Sequence, residues 1–359
     1  MAERITEKET YMKIAVYGAT GYQGGLVLAE LARRGIEPVA AGRDAARLEK
    51  TGAPWRVAAA GDHEGLVSAF AGCDAVVSCA GPFTVTGAAV VRAAIAAGCH
   101  YADTSGEQLH VKHVFDTFAT QAREAGVSVL PAATDGCVPV DLMARLLADR
   151  LGPLAGIVTV HVVTGGGGMS RGSLRSVAET IDAIRAGGLI YSGGAWHAGG
   201  PARGEVRLPG RAEATAVAAF PVPEVVTIPR HVPVGRVAGM TEAALGERLN
   251  SPLTPEMIDG LPDGPDAASR RAQRFTYVLD ATAADGRRAR GVVRGSDTYG
   301  TTAVIAVESA RRLAAGHAGA GVLAPGQALP PEGFLDFLGA YGVRWSIEPS
   351  HISDLSDIS

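Results

Sequence analysis

The fold is decided by the stretch Lys13-Ile-Ala-Val-Tyr-Gly-Ala-Thr-Gly-Tyr-Gln-Gly24. Its first five residues form an apolar run that is typical of a buried parallel strand. Three glycines follow: Gly18 permits a tight turn, Gly21 lets a pyrophosphate approach the backbone, and Gly24 lets the strand and the next helix pack closely. The N-terminus of that helix also offers unpaired N–H groups to an anion. This order of strand, glycine loop and helix predicts a dinucleotide-binding site.

The same alternation of short apolar strands and helices continues to about residue 145. Strands that alternate with helices form right-handed βαβ units, and these build a parallel sheet with helices on both faces. Residues 1–145 are therefore predicted to be a Rossmann-type, doubly wound α/β domain that binds the dinucleotide.

Residues 146–300 change to longer strands. The runs Arg274 to Thr282 and Arg287 to Gly295 flank Ala284-Asp-Gly286, which is a hairpin signal because glycine tolerates the positive φ of a tight turn. We expect a second, mixed α+β domain with an antiparallel sheet that serves substrate binding or dimerisation. Residues 301–359 are predicted to be an amphipathic helix that returns to the first domain, followed by a C-terminal segment.

Charge and cysteine usage exclude several classes of protein. The chain has 33 basic and 37 acidic residues, so no basic surface is expected for nucleic acid. Its four cysteines match neither a zinc pattern nor a dense disulfide framework, which favours reducing cytosol. The first residues are acidic, unlike a signal peptide, and no apolar run is long enough for a transmembrane helix. We therefore expect a cytoplasmic protein.

A residue near the end of the second strand indicates which dinucleotide binds. An NAD site places an acid about 20 residues after the glycine loop, where it binds the ribose 2′-hydroxyl. Here Gly42 and Arg43 stand at that distance, and an arginine can bind a 2′-phosphate, which favours NADP(H). Asp44 beside it is open to two other interpretations, a helix cap or the acid itself. Asp62 either borders the adenine or caps its helix.

The loops after the fourth and fifth strands should line the nicotinamide half of the site, because ligands lie outside the carboxyl ends of the strands. The predicted cofactor-binding residues are Gly18, Thr20, Gly21, Tyr22, Gly24, Arg43, Asp62, Ala80, Gly81, Pro82, Thr104 and Ser105. Glu107, His110 and His113 stand at spacings that a metal could use, but a solvated helix face is the simpler interpretation, and no metal is predicted.

The chain resembles the saccharopine dehydrogenase-like oxidoreductases, and within them the branch of the trans-acting enoyl reductases. The motifs that carry the resemblance extend over most of the chain and are Gly18-Ala-Thr-Gly-Tyr-Gln-Gly24, Ala41-Gly-Arg43, Cys79-Ala-Gly-Pro-Phe83, His100-Tyr-Ala-Asp-Thr-Ser-Gly-Glu107, Ser170-Arg-Gly172 and Asp297-Thr-Tyr-Gly-Thr-Thr302. The resemblance implies a Rossmann domain with a mixed substrate domain, and NADPH-dependent reduction, or NADP-dependent formation, of C=N or C=C bonds.

The predicted chemistry is hydride transfer from NADPH to an imine or a conjugated enoyl group of a small or lipid-like metabolite. Ser170 and Arg171 follow a glycine run and are candidates for holding a polar or anionic part of the substrate, or for helix capping. Asp103 and Tyr191 are candidate proton donors, because hydride addition leaves a negative charge. Cys137 is a candidate for substrate contact. The partner expected is a small-molecule substrate, and a homodimer is compatible with the second domain.

Two alternatives remain open. Gly136-Cys-Val-Pro139 at a helix N-terminus is similar to the nucleophile segment of semialdehyde or acyl-phosphate dehydrogenases, and a helix N-terminus lowers a thiol pKa. The second alternative is a non-catalytic protein that holds NADP as a sensor or a structural ligand.

Overall fold

The computed structural model describes residues 12–249 and 253–349. Residues 1–11, on which the expectation of no signal peptide rests, and residues 350–359 of the predicted C-terminal segment lie outside the described ranges. The elements of the first domain, in chain order, are β1 (Lys13–Tyr17), α1 (Tyr22–Arg33), β2 (Glu37–Gly42), α2 (Ala45–Glu49), β3 (Trp55–Val57), α3 (His63–Phe70), β4 (Ala75–Ser78), α4 (Phe83–Ala96), β5 (His100–Asp103), α5 (Gln108–Glu124), β6 (Ser128–Leu130) and α6 (Val138–Leu151).

The remaining elements begin with the longer strands foreseen after residue 146. They are β7 (Leu154–Thr164), α7 (Arg171–Arg185), β8 (Leu189–Ser192), β9 (Ala195–Ala198), β10 (Arg203–Arg207), β11 (Ala214–Ala219), α8 (Glu224–Thr227) with a 3-10 turn (Ile228–Arg230), β12 (Arg236–Glu242), α9 (Ala243–Leu249), α10 (Pro255–Asp259), α11 (Ala267–Ala272), β13 (Arg274–Ala283), β14 (Arg288–Ser296), α12 (Thr298–Ala314), β15 (Gly321–Val322), α13 (Pro325–Ala328), α14 (Pro331–Gly339) and β16 (Arg344–Pro349).

The first sheet is parallel and has the strand order β15-β6-β5-β4-β1-β2-β3. This confirms the predicted doubly wound α/β domain. The direction of strand addition reverses between β1 and β4, and such a reversal opens a crevice outside the carboxyl ends of the two strands. The loops that follow β1 and β4 carry the glycine motif and the Ala80-Gly81 segment, so the crevice is where the cofactor is expected.

The second sheet is mixed, as predicted. Its order is β10-β11-β12-β7-β13-β14-β16, and β8 pairs with both β12 and β9. Strands β7 and β12 are parallel, whereas the other pairs are antiparallel. The predicted hairpin is β13–β14, with Thr282 opposite Arg288. Gly286 in its turn has a φ of +86°, which explains the glycine at that position.

The chain after residue 300 contributes to both domains. Helix α12 packs against α1, β4 and β5, while β15 extends the first sheet and β16 extends the second. The helix begins at Thr298, earlier than the predicted Thr301, because the Asp297 carboxylate accepts a hydrogen bond from Gly300 N at 2.8 Å and caps it.

A single apolar cluster joins the two sheets. It contains Val16 of β1, Leu279 of β13 and Ile305 of α12, and all three are fully buried. Because the two domains share this core, the space between their sheet edges has defined walls. Within the described ranges, no helix combines the length and the apolar character needed to cross a bilayer.

Candidate functional site

A cavity of about 990 Å³ lies between the two domains. One part is bounded by the loops at the carboxyl ends of β1, β2 and β4, and the other by the second sheet, α7 and the segment around residues 220–223. A dinucleotide and part of a substrate need a space of this order. The cavity therefore joins the predicted cofactor loops to the predicted substrate domain.

The glycine loop has the close backbone packing that a dinucleotide site needs. Gly18 has a φ of +79°, and a Cβ added there would lie 2.9 Å from Ala80 N. A Cβ at Gly24 would lie 2.2 Å from Gly18 O, and one at Gly21 would lie 3.2 Å from that same oxygen. Side chains at these positions would push α1 away from β1 and fill the approach to its N-terminus. Gly18, Thr20, Gly21 and Tyr22 line the cavity, whereas Gly24 lies behind them in the helix–strand contact.

Arg43 lies at the end of β2, lines the cavity and is exposed. Among the described residues its guanidinium has neither an ion pair nor a hydrogen bond, so it is available to a ligand. Asp44 is the N-cap of α2 and accepts a hydrogen bond from Arg47 N at 3.1 Å. Since the Asp44 carboxylate is used in this cap, the arginine is the better candidate for contact with the adenosine ribose.

Arg43→Ala is expected to weaken NADPH binding about 10- to 100-fold, since a charge-assisted contact to the 2′-phosphate contributes about 1.5–3 kcal/mol. NADH lacks this phosphate, so its affinity should change by less than about twofold. Both dissociation constants can be measured by fluorescence titration. Lys50→Ala is the matched control, because Lys50 is exposed and lies outside the cavity lining. Equal loss of both cofactors in Arg43→Ala would contradict the assignment.

The loops after β4 and β5 form the middle of the cavity wall. Ala80, Gly81 and Thr104 line it, and a Cβ at Gly81 would lie 2.9 Å from Ser176 Oγ of α7. Pro82 is the N-cap of α4 and lies next to the lining residues. The Glu107 carboxylate accepts hydrogen bonds from Phe83 N at 2.8 Å and Thr84 N at 2.7 Å. This contact ties the two loops together.

Ser105 and Asp62, both predicted cofactor contacts, lie outside the cavity lining. Ser105 is fully buried, and its Oγ accepts a hydrogen bond from Glu107 N at 3.0 Å. Asp62 caps α3 by accepting a hydrogen bond from Gly65 N at 2.9 Å, while the preceding residues Ala59 to Gly61 line the cavity. Both residues therefore support the shape of the loops around the site.

Asp103 does not reach the cavity, which argues against its predicted role as a proton donor. Its side chain is fully buried. The carboxylate accepts hydrogen bonds from Ser105 N at 3.1 Å, Ala132 N at 2.8 Å and Tyr101 OH at 3.1 Å, and it lies 2.9 Å from His110 Nε2. These partners come from β5, α5 and the loop after β6, so Asp103 joins three segments of the first domain.

Tyr191 is also outside the cavity lining. It lies in β8, where its ring packs against Trp196 at a centroid distance of 5.1 Å. Neither of the two predicted proton donors, Asp103 and Tyr191, therefore lines the cavity.

The thiol of Cys137 is not an activated nucleophile. Cys137 is the N-cap of α6 as expected, but it is fully buried and does not line the cavity. Burial raises the pKa of this thiol well above its ordinary value, and the nearby carboxylates of Glu224 and Asp141 raise the pKa further. A protonated, enclosed thiol does not attack an aldehyde. The structure therefore argues against the semialdehyde dehydrogenase alternative and against direct substrate contact.

Ser170 and Arg171 do line the cavity. The Ser170 hydroxyl caps α7 by accepting a hydrogen bond from Ser173 N at 3.1 Å. The guanidinium of Arg171 is paired with Asp263, and Arg175 one turn later is paired with Asp259. These pairs connect α7 to the segment around α10, so both arginines already have acidic partners at the cavity wall.

Sequence reasoning missed a polar cluster on the second-domain side of the cavity. His161 of β7 lines the cavity, and its Nε2 lies 2.8 Å from Glu224 Oε1 at the start of α8. Nε2 makes no hydrogen bond among the described residues, and at this distance the two groups form an ion pair when the ring is protonated. Thr159 Oγ1 donates to the same carboxylate oxygen at 2.8 Å. Glu224 is fully buried and His161 is partly exposed to the cavity.

Tyr277 and Asp135 complete the cluster. Tyr277 OH donates a hydrogen bond to the Asp135 carboxylate, which also accepts one from Thr302 Oγ1 at 2.9 Å. Burial raises the pKa of Asp135, although the hydrogen bonds from Tyr277 and Thr302 oppose that rise. Burial and the neighbouring Asp135 carboxylate raise the pKa of Tyr277 well above its ordinary value. The tyrosine is thus protonated, and its hydroxyl is committed to Asp135.

One signal in the sequence could have pointed to this cluster. His161 is a single ionisable residue within the apolar strand Ile157 to Val163, and Tyr277 pairs directly with it across β7 and β13. Glu224 and Asp135 come from a short helix and a loop that no pattern connects to this strand. Among the described residues, no group of three histidine, cysteine, aspartate or glutamate side chains could hold a metal ion.

The geometry defines an α/β protein with a Rossmann-type domain and a second domain built on a mixed sheet, and comparison with known proteins adds its relatives. Residues 14–130 match the family of the saccharopine dehydrogenase NADP-binding domain. A putative trans-acting enoyl reductase of Mycobacterium tuberculosis is 32% identical over 184 residues, which cover 47% of this chain and 44% of the relative. A lipid droplet localized protein of Caenorhabditis elegans is 30% identical over 176 residues, covering 44% of this chain and 41% of that protein. The chain thus matches less than half the length of these curated relatives.

A solved structure shares the fold over nearly the whole chain. Saccharopine dehydrogenase (L-Glu forming) from Saccharomyces cerevisiae, in its apo form, has a TM-score of 0.60 at 14% identity, and the match covers 94% of this chain and 100% of that one. This shared fold agrees with the resemblance found in the sequence, and residues 14–130 match the NADP-binding domain of the saccharopine dehydrogenase family. This also confirms NADP(H) as the cofactor, and the glycine cradle fits it.

Proposed function

We propose that this protein is an NADPH-dependent reductase that transfers a hydride to the conjugated C=C bond of an apolar enoyl substrate. The names of the enoyl reductase relatives support this class of reaction. When bound, NADPH supplies a hydride from its nicotinamide ring. The glycine loop would hold the pyrophosphate, Arg43 the 2′-phosphate, and Ala80, Gly81 and Thr104 the nicotinamide half.

The choice of substrate rests on the apolar cavity wall that lies beyond the cofactor loops. This wall is mainly apolar and includes Val163, Val177, Ala183, Ile184, Phe220, Pro221 and Val222. Such a surface binds an acyl chain and excludes water from the reacting carbon. An imine of an amino acid would instead bring carboxylates. The nearby Arg171 and Arg175 are already neutralised by Asp263 and Asp259, so the wall favours the enoyl substrate.

The proposal is tested by following NADPH oxidation with trans-2-enoyl thioesters of four, eight and twelve carbons. Each methylene buried against the wall contributes up to about 0.8 kcal/mol, so kcat/KM should rise by up to about 200-fold with each four-carbon step in length. A cyclic imine serves as the competing substrate. Reduction of the imine without reduction of any thioester would overturn the enoyl assignment, and the absence of any substrate-dependent oxidation would favour the non-catalytic alternative.

Ala183→Phe provides a second test of the same wall. The added ring would occupy the path of a long chain, so the preferred thioester should become shorter while NADPH affinity stays unchanged. Ala186→Phe is the matched control, because Ala186 is exposed at the end of α7 and lies outside the cavity lining. An unchanged length profile in Ala183→Phe would contradict the placement of the acyl chain.

A further inference from the structure

We propose that His161 exchanges a proton with the substrate and that Glu224 positions its ring. This inference rests on the proposed function, because the reduction of an enoyl group requires one hydride and one proton. It also assigns the step to a group that no sequence pattern identified.

The position of His161 brings it to the cofactor side of the cavity. A Cβ added at Gly136 would lie 3.3 Å from His161 Cε1, so the imidazole packs against the backbone of the loop that follows β6. That loop lies at the carboxyl edge of the first sheet, where the nicotinamide half of the dinucleotide is expected. A larger residue at 136 would displace the ring.

The orientation of the ring is set by Glu224. Its Oε1 lies 2.8 Å from Nε2 and is itself held by the Thr159 hydroxyl at 2.8 Å. Glu224 is fully buried, and a buried carboxylate is stabilised by a cationic partner, so the contact favours this orientation when the ring is protonated. With Nε2 facing Glu224, Nδ1 is the nitrogen left for a ligand. Within the described ranges, Nδ1 makes no hydrogen bond.

Three other titratable groups that line the cavity with His161 are less suited to exchange a proton with the substrate. The hydroxyl of Tyr277 donates to Asp135, which Thr302 also contacts. Burial raises the pKa of the Cys79 thiol to about 12, so it stays protonated and is a poor acid. Among the described residues that line the cavity, His161 is the only histidine. It is therefore the side chain best placed to exchange a proton with the substrate.

The chemical step balances as follows. A hydride adds to the β-carbon of the enoyl thioester, the electron pair of the C=C bond moves to the α-carbon and its carbonyl, and NADPH is oxidised. The Nδ1–H bond of His161 then breaks as a new C–H bond forms at the α-carbon. The neutral imidazole regains its proton from solvent. In reverse, the neutral ring removes the α-proton of a saturated thioester.

The reverse half-step allows a test that does not depend on hydride transfer. A saturated acyl thioester is incubated with the protein and NADP⁺ in D₂O, and loss of the α-proton is followed by NMR. His161→Gln should lower both this exchange and NADPH-dependent turnover at least about 100-fold, which is the usual contribution of a general acid or base. His197→Gln is the matched control, since His197 is exposed in β9 and lies outside the cavity lining.

Glu224→Gln tests the positioning role. It should lower turnover about tenfold and change the shape of the pH profile of kcat. A variant that only lowered the fraction of folded protein would lower kcat without changing the shape of this profile. NADPH affinity should stay within twofold in all three variants.

The possible outcomes separate this inference from the proposed function. Exchange by the parent protein without reduction of any enoyl thioester would overturn the proposed function and retain His161. The role of His161 would be overturned if the parent protein reduces the enoyl thioester but exchanges the α-proton no faster than buffer does. It would also be overturned if His161→Gln reduces the thioester at the rate of the parent protein. Neither activity in the parent would overturn both.

Discussion

Gly24→Ala is expected to abolish tight binding of NADPH and to lower the free energy of unfolding by about 1–3 kcal/mol, the usual effect of overpacking. The new Cβ would lie 2.2 Å from Gly18 O and 2.8 Å from Ala19 Cα. Both are backbone atoms, so no side chain can rotate away. Helix α1 must move relative to β1, and the N–H groups at its N-terminus then no longer face the pyrophosphate.

Gly25→Ala is the control for this variant, because it makes the same chemical change one residue later. Gly25 is exposed in α1, and among the described residues, apart from its two neighbours and the backbone of its own helix, no heavy atom lies within 4 Å of the added Cβ. Alanine should stabilise the helix there by about 0.5–1 kcal/mol and leave NADPH affinity unchanged. Urea unfolding and NADPH titration measure the two effects. Equal behaviour of the two variants would show that the packing at Gly24 does not control cofactor binding.

Asp103→Ala is expected to lower the free energy of unfolding by about 3–5 kcal/mol. The substitution removes the shared acceptor of Tyr101 OH and two backbone N–H groups and leaves His110 without its carboxylate partner. All of these donors are buried, so water cannot replace the lost hydrogen bonds without opening the domain. Denaturant unfolding measures the effect, and catalysis should fall only as far as the folded fraction falls.

Asp62→Ala is the matched control, because it removes an exposed carboxylate that caps α3. Its cost should be about 1 kcal/mol, as for other N-caps. A folded Asp103→Ala protein of parental stability that binds NADPH but cannot reduce its substrate would restore the predicted role of Asp103 as a proton donor.

Much of the cofactor side of the site was predictable from the sequence because it depends on local spacing. Gly18, Gly21 and Gly24 follow one strand and open one helix, and the turn between them needs no distant residue to be recognised. The preference for NADP(H) that Arg43 indicates is also a local inference, since it depends on which residue stands about 20 positions after the glycine loop. These local rules also predicted the doubly wound sheet and NADP(H), both of which are confirmed.

The roles suggested for single residues depended on features that spacing does not contain. Asp103 ends a strand at the correct edge of the sheet, but its carboxylate turns into the protein, where buried donors satisfy it. Cys137 stands at a helix N-terminus as expected, yet its burial outweighs the helix dipole and raises the thiol pKa. The orientation and the burial of these two side chains, which spacing does not reveal, argue against the roles predicted for them.

The sequence by itself determined the class of fold and the cofactor, because a glycine turn, a strand and a helix N-terminus are neighbours along the chain. Only the tertiary structure brought His161 to Glu224, which lies on another element, and set Tyr277 against Asp135. It also left an apolar wall between α7 and residues 220–223. These contacts join segments far apart in sequence, and their distances depend on how two sheets pack around a common core.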